Sequence, residues 1–258
     1  MAPYDHTDHI SHIHHSINVE RAGVDMSFVA EPKADRRSNV WTQVSFAGVN
    51  YLRFPLQTRW FDESDDLVLA LKESLKLARP GDTVGVSEKV AVLLTGRTVD
   101  ISTMEPGRLA RFLAAHVRPR TDSKGLSVPE KMEYVLRTVG LRRVIPAAIG
   151  SALTRPLRMR GTFYRVAGPI ARDVDGGRPP YEHVLFPPLD PKVAQRICAD
   201  LERALDIGVS IVDLNDFGGS IRAVSPRSLS EKTLLAVLSD NPLGQRLTST
   251  PFVLVRPS

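Results

Sequence analysis

An α+β fold, with mixed or antiparallel sheets and flanking helices in one or two lobes, is the class this sequence predicts. Three observations point there. Strand-like and helix-like segments intermix without a repeated unit, so neither a barrel of alternating elements nor a solenoid fits. The chain has 258 residues, 42% of them hydrophobic, enough for an ordinary packed core in one large domain or two modest ones. No apolar run approaches the roughly 20 residues needed to span a bilayer, and the start lacks the basic leader and apolar core of a secretory signal. A cytoplasmic protein without membrane contact is therefore expected.

Residues 1–40 lack periodicity and hold five of the seven histidines, so they read as a flexible leader preceding an α+β domain over 41–258. Residues 40–54 alternate in places and suit a strand leading into Pro55. Ser64, Asp65 and Asp66 open a helix with the stripe Leu67, Leu71, Leu75 and Ala78, which Pro80, Gly81 and Asp82 stop. A strand pair over 83–86 and 90–94 follows, with Ser87, Glu88 and Lys89 between. A helix over 107–116 carries Leu109, Phe112 and Leu113 and leaves His116 on its apolar edge in a structural role. Ser127 and Glu130 form a capping box around Pro129, and that helix continues through Met132, Val135, Leu136 and Val139.

Strand-like residues 162–166 run into a long connection rich in glycine, proline and arginine, and connections of that length are uncommon unless functional. Asp190 and Pro191 start a helix with Val193, Ile197, Leu201 and Leu205 on one face. Cys198, the only cysteine, lies in that apolar register and reads as a small buried hydrophobe. Ser230 and Glu231 begin the last helix, Asp240, Asn241 and Pro242 close it, and a strand follows at 252–255.

Residues 209–222, VSIVDLNDFGGSIR, are the densest functional signal. Val209, Ile211 and Val212 form a buried strand, and alternation sends Asp213 and Asn215 to one face with Asp216 on the turn. Gly218 and Gly219 allow a close backbone approach to a ligand. Hard cations such as Mg²⁺ take carboxylates together with substrate phosphates, although an Asx-rich turn capping the strand has the same composition. The net charge of +5, from 34 Lys and Arg against 29 Asp and Glu, suits anionic ligands. The basic residues are scattered apart from Arg142, Arg143, Arg155, Arg158 and Arg160, without interleaved aromatics, so no nucleic-acid partner is expected. The sequence has no GxxxxGK, GxGxxG or HExxH.

Together, RFPLQT at 53–58, PGDTVGVSEKVAVLLTGR at 80–97, GTFYRVAG at 161–168 and VSIVDLNDFGGSIR at 209–222 resemble, in order, the gamma-glutamyl ligases of the deazaflavin coenzyme F-420. The resemblance implies an α+β homodimer that uses GTP, or ATP, and Mg²⁺ or Mn²⁺ to join a small-molecule carboxylate to an amine. By it, Pro55, Leu56, Gln57 and Thr58 match the loop that contacts the nucleotide, Ser87 and Glu88 fall on two further nucleotide contacts, and Lys89 matches the lysine beside them. The family's second lysine, four residues on, is Leu93 here. Aligning Phe217 and Gly218 puts Asn215 on the family's ligand aspartate, Asp216 on its threonine and Gly219 on its arginine. Residues 166–170 lack the family's other metal-binding aspartate, for which Asp173 or, preferably, Asp175 stands in. The resemblance thus implies metal ligation by Asp213, Asn215, Asp216 and Asp175, with Lys89 and Asp216 catalytic and Gly218 and Gly219 beside the nucleotide. A non-catalytic relative that binds a ligand or partner is the alternative.

Overall fold

A computed structural model describes residues 38–119, 124–154, 156, 161–215, 218–244 and 248–258; residues 1–37 of the expected leader, with its five histidines, and Asp216 lie outside them. Strands β1 (Thr42–Phe46) and β2 (Val49–Leu56) form a hairpin. Helix α1 (Leu67–Ser74), strand β3 (Thr83–Ser87), helix α2 (Glu88–Leu94) and the short β4 (Val99–Asp100) follow. Among the described residues the next α-helices are α3 (Arg108–Ala115), α4 (Pro129–Val139), α5 (Leu141–Thr154), α6 (Thr162–Ala167) and α7 (Pro169–Asp173). The chain then forms β5 (Asp175–Gly176), β6 (Val184–Phe186), α8 (Pro191–Leu205), β7 (Gly208–Asn215), β8 (Gly218–Val224), α9 (Glu231–Val237) and β9 (Phe252–Pro257).

The main sheet is mixed, in the order β1-β2-β9-β3-β7-β8, and a smaller antiparallel sheet has the order β4-β6-β5. The mixed α+β class expected from the sequence is what these elements form. Strands β3 and β7 are parallel neighbours, and β9 runs antiparallel to both β2 and β3. The carboxyl ends of β2, β3 and β7 consequently share one edge of the sheet with the amino ends of β9 and β8. Near-continuous apolar runs in the central strands match burial on both faces, with Val84, Val86, Val209, Ile211, Phe252 and Val253 all at 0% exposure. Helices α1, α2 and α8 help to cover one face, and α9 covers the other through Leu234, Val237 and the following Leu238. A further cluster holds Ala110, Met132, Val135, Val144 and Ala171 of α3, α4, α5 and α7. Strand β6 stitches this cluster to the sheet, because Leu185 points into it while Val184 and Phe186 join the main core. Among the described residues, no helix is long and apolar enough to cross a membrane.

Several local expectations change. Residues 162–166 form helix α6 rather than a strand, and its Phe163 and Tyr164 pack against the helical cluster, so tertiary packing overrides the β propensity of Thr, Phe, Tyr and Val. Residues 90–94 belong to α2, since a short apolar run carries no period that separates a buried strand from a buried helix. The capping box around Pro129 is absent: Ser127 donates to the Lys124 carbonyl, and Val128 occupies the N-cap without a side-chain bond. Of Ser64, Asp65 and Asp66, expected to open α1, Asp66 is the cap, accepting from the Leu69 amide, but the helix ends at Ser74, short of Leu75 and Ala78. In α3 the buried positions are Ala110 and Ala114, whereas Leu109 and Phe112 are exposed. Helix α9 stops at Val237, before Asp240.

Other expectations match. Asp190 caps α8, accepting from the Lys192 and Val193 amides, and Ser230 caps α9. Cys198 is fully buried, and burial pushes its thiol up to about 12.

Candidate functional site

The β7–β8 hairpin sets the site. Asp213 lies opposite Ser220, and Arg222, two residues farther along β8, reaches back under the carboxyl end of β7 past an irregularity in register between Ile211 and Val212. Gly218 holds φ at +132°, a conformation side-chain-bearing residues rarely adopt, and a Cβ on Gly219 would come within 2.8 Å of the Asp213 carbonyl oxygen. The close approach these glycines permit is therefore between the two strands themselves.

Arg222 gathers three acids from separate elements. Its Nε donates to Glu88 Oε2 at 2.9 Å, Nη2 donates to Asp213 Oδ2 at 3.1 Å, and both Nη1 and Nη2 lie 3.3 Å from Asp173 Oδ2. The other Glu88 oxygen accepts from the Leu189 amide at 2.9 Å, which fastens the chain leading into α8 to the start of α2. Beside this network, Lys89 Nζ pairs with Asp175 Oδ2 at 2.7 Å. Asp175 is carried on β5 by a turn that requires glycine. A Cβ on Gly177 would lie 1.6 Å from the Tyr181 carbonyl oxygen, and one on Gly176 would lie 2.8 Å from Lys131 Cε.

Burial dominates the electrostatics. It raises the Glu88 carboxyl above its ordinary range, against the pull of the Leu189 amide and Arg222. It raises Asp213 likewise, against Arg222 and Lys89, with Asp175 and Asp173 adding to the rise. Burial alone would raise Asp173 too, yet the Arg172 and Arg222 guanidiniums outweigh it and hold that carboxyl below its usual range. Lys131 is lowered by burial, helped by the charge of Lys89 and opposed by Asp175.

A group whose folded-state pKa is raised binds more protons in the native than in the unfolded chain, so its stabilising contribution falls as pH rises. Glu88 is therefore expected to make stability decline from pH 4.5, its ordinary value, up to its folded value. Urea unfolding of wild type and Glu88→Gln across that interval checks this: the declining component should vanish in the variant.

The structure brings Glu88, Lys89, Asp175 and Asp213 of the anticipated residues into one cluster; Asp216 lies outside the described residues. Ser87 ends β3 with its amide bonded to the Pro251 carbonyl, and Asn215 ends β7 opposite Gly218. Pro55 and Leu56 end β2 at the same sheet edge, three strand positions from β7, which at about 4.8 Å per step is about 14 Å. Gln57 and Thr58 continue from there. The Gln57 side chain donates to the Thr248 carbonyl, and the Thr58 amide donates to the Ser249 carbonyl. Leu56, Gln57 and Thr58 line a separate cleft of about 400 Å³ with Arg59, Phe61 and Lys76.

Leu93, where the resembled family has a lysine, is 1% exposed in the main core and is not a site position in this chain. Arg222 and Lys131 are the cluster members that sequence reasoning missed. Arg222 sits inside the VSIVDLNDFGGSIR motif, and only the strand pairing shows that it turns toward Asp213.

The acids can be tested against the expected Mg²⁺ or Mn²⁺. Glu88, Asp173 and Asp213 share the Arg222 guanidinium, Asp173 also pairs with Arg172, and Asp175 pairs with Lys89, so each acid already faces a cation of the chain itself. Among the described residues, no three His, Cys, Asp or Glu side chains are grouped to cage a metal ion. The arrangement fits a salt-bridge network, and a divalent ion at Asp213 and Asp175 would have to displace Arg222 and Lys89. Comparison with protein-family models and with curated proteins gives no match, so the chemistry of this pole rests on its own residues.

Proposed function

We propose that this chain is a nucleotide-driven ligase that joins a carboxylate to an amine, similar in design to the gamma-glutamyl ligases of coenzyme F-420 but with a different substrate pair. One observation carries the proposal: Glu88, Lys89, Lys131, Asp173, Asp175, Asp213 and Arg222 converge where β3 and β7 end. Open sheets with parallel strands bind ligands beyond those ends, and desolvated titratable groups cluster at functional sites. The expected nucleotide segment, residues 55–58, sits at the same edge.

In the proposed reaction a substrate carboxylate oxygen attacks the γ-phosphorus of GTP or ATP. The bond to the bridging oxygen breaks, and the nucleoside diphosphate leaves. The amine nitrogen of the second substrate then attacks the acyl carbon, inorganic phosphate departs, and the amine loses a proton. Such chemistry asks the protein mainly to position groups and offset charge. Lys89 supplies a mobile ammonium for phosphoryl oxygens, and Arg222 holds Asp213 and Glu88 in place.

The test is incubation with GTP or ATP, Mg²⁺ or Mn²⁺, and panels of acids and amines, reading nucleoside diphosphate and amide by mass spectrometry. Lys89→Met is expected to slow turnover about 100-fold. If no amide forms and no diphosphate is released, the proposal fails. The second reading, a non-catalytic ligand- or partner-binding protein, is favoured by the engagement of three acids by Arg222. Nucleotide that binds in calorimetry without turnover would support it.

A homodimer is part of the proposal. Leu141, Ile145, Ile149 and Leu153 recur every four residues on α5 and are 41–71% exposed, an apolar face of the kind dimers bury. Ile149→Glu is expected to convert a dimer to a monomer in light scattering, and an unchanged mass would exclude α5 as the contact.

A further inference from the structure

Lys131 is the third residue of α4 and is 7% exposed. The end of its side chain lies against Gly176, where a Cβ would come within 2.8 Å of Lys131 Cε and push the lysine aside. Among the described residues its Nζ makes no hydrogen bond and no ion pair; it feels Asp175 through space, and Asp175 gives its contact to Lys89. Its location in the first turn of a helix, where the macrodipole opposes positive charge, adds to the cost of burial. A buried ammonium calls for an anion. The Asp175 carboxylate carries one negative charge and faces two ammoniums. The Lys89–Asp175 contact is half open to solvent, with side chains 51% and 48% exposed, and such exposed pairs separate at little cost.

We propose that Lys131 and Lys89 together form a binding site for a phosphoryl group, and that Asp175 fills this site until such a group displaces it. A phosphoryl dianion would match both ammoniums, and Asp175, on its short β5 turn, would move toward solvent. The inference deepens the ligase reading and rests on it for the part the phosphate plays in the reaction, though not for binding itself. The phosphate can belong to the nucleotide or to a phosphorylated acid substrate, which share this chemistry.

The experiment is calorimetry of pyrophosphate binding to the full chain without added metal. Wild type is expected to bind, and Lys131→Met is expected to weaken binding about 10- to 100-fold, the range for a lost charge-assisted contact. Asp175→Asn is expected to tighten binding several-fold, because it removes the competing charge. That sign separates a placeholder from a ligand: weaker binding by Asp175→Asn overturns the inference even if Lys131→Met does not fold. Unchanged binding by a folded Lys131→Met, or no binding by wild type, also overturns it. Competition by GDP or ADP assigns the phosphate to the nucleotide, and competition by phosphoglycolate assigns it to the acid; either result supports the site, and competition by none of them overturns it. Amide formation by wild type together with pyrophosphate binding undiminished in a folded Lys131→Met would sink this inference and leave the ligase standing. Lysine-dependent pyrophosphate binding without amide formation would do the reverse.

Discussion

Arg222→Met is expected to destabilise the protein by about 3–5 kcal/mol at neutral pH, the range for removing one partner of a buried charge network. The Arg222 and Glu88 side chains are 17% and 9% exposed, so solvent screens their pairing little. Without the guanidinium, Glu88 keeps the Leu189 amide, Asp173 keeps Arg172, and Asp213 keeps only the more distant Lys89. The two acids already raised by burial would rise further, because the opposing charge is gone. Protonation then relieves the variant, so its deficit should be largest near pH 7 and shrink toward pH 5. Urea unfolding at both values measures this, with Arg172→Met as a companion. Arg172 is 62% exposed, and its removal should cost less than about 1 kcal/mol. A deficit independent of pH, or equal losses from the two arginines, would show that Arg222 acts through packing rather than charge.

The same network explains what was legible beforehand. Asp213 could be found because it ends an apolar run, and Asp175 because it precedes two glycines in a long connection. Arg222 could not, since an arginine on a strand reads as solvent-facing until the partner strand and register are known; here β8 pairs antiparallel with β7 and carries Arg222 back to the acids. Lys131 was hidden inside a helix read for its apolar stripe, and only the contact with Gly176 on another element reveals it. Helices α8 and α9 were readable because Asp190 and Ser230 cap them with their own side chains. Helix α5 went unseen: Pro146 interrupts its pattern, and apolar residues cover both its buried and its exposed faces, so no single stripe stands out. Helix α6 spans six residues, too few for a 3.6-residue period to outweigh β-prone composition.

Leu93→Lys, the change that would place the second lysine of the resembled ligases in this chain, is expected to cost more than about 4 kcal/mol and leave little folded protein at 37 °C. Leu93 is 1% exposed and shares the main core with Val86, Val92 and Phe252, so the new ammonium would lose its hydration among apolar side chains. Lys89, one turn earlier on α2, has a side chain 51% exposed, so adjacent turns of the same helix differ sharply in surroundings. An ammonium four carbons long can relieve some strain by reaching for the surface, but the end of α2 at Leu94 is itself buried. Leu93→Met, close in volume, is expected to cost less than about 1.5 kcal/mol and controls for packing. Circular dichroism melting of the three proteins decides the matter. A Leu93→Lys protein as stable as Leu93→Met would mean that α2 can turn this position toward the Lys89–Asp175 pair, and a further phosphate-facing cation beside Lys89 and Lys131 would then be within one substitution of this chain.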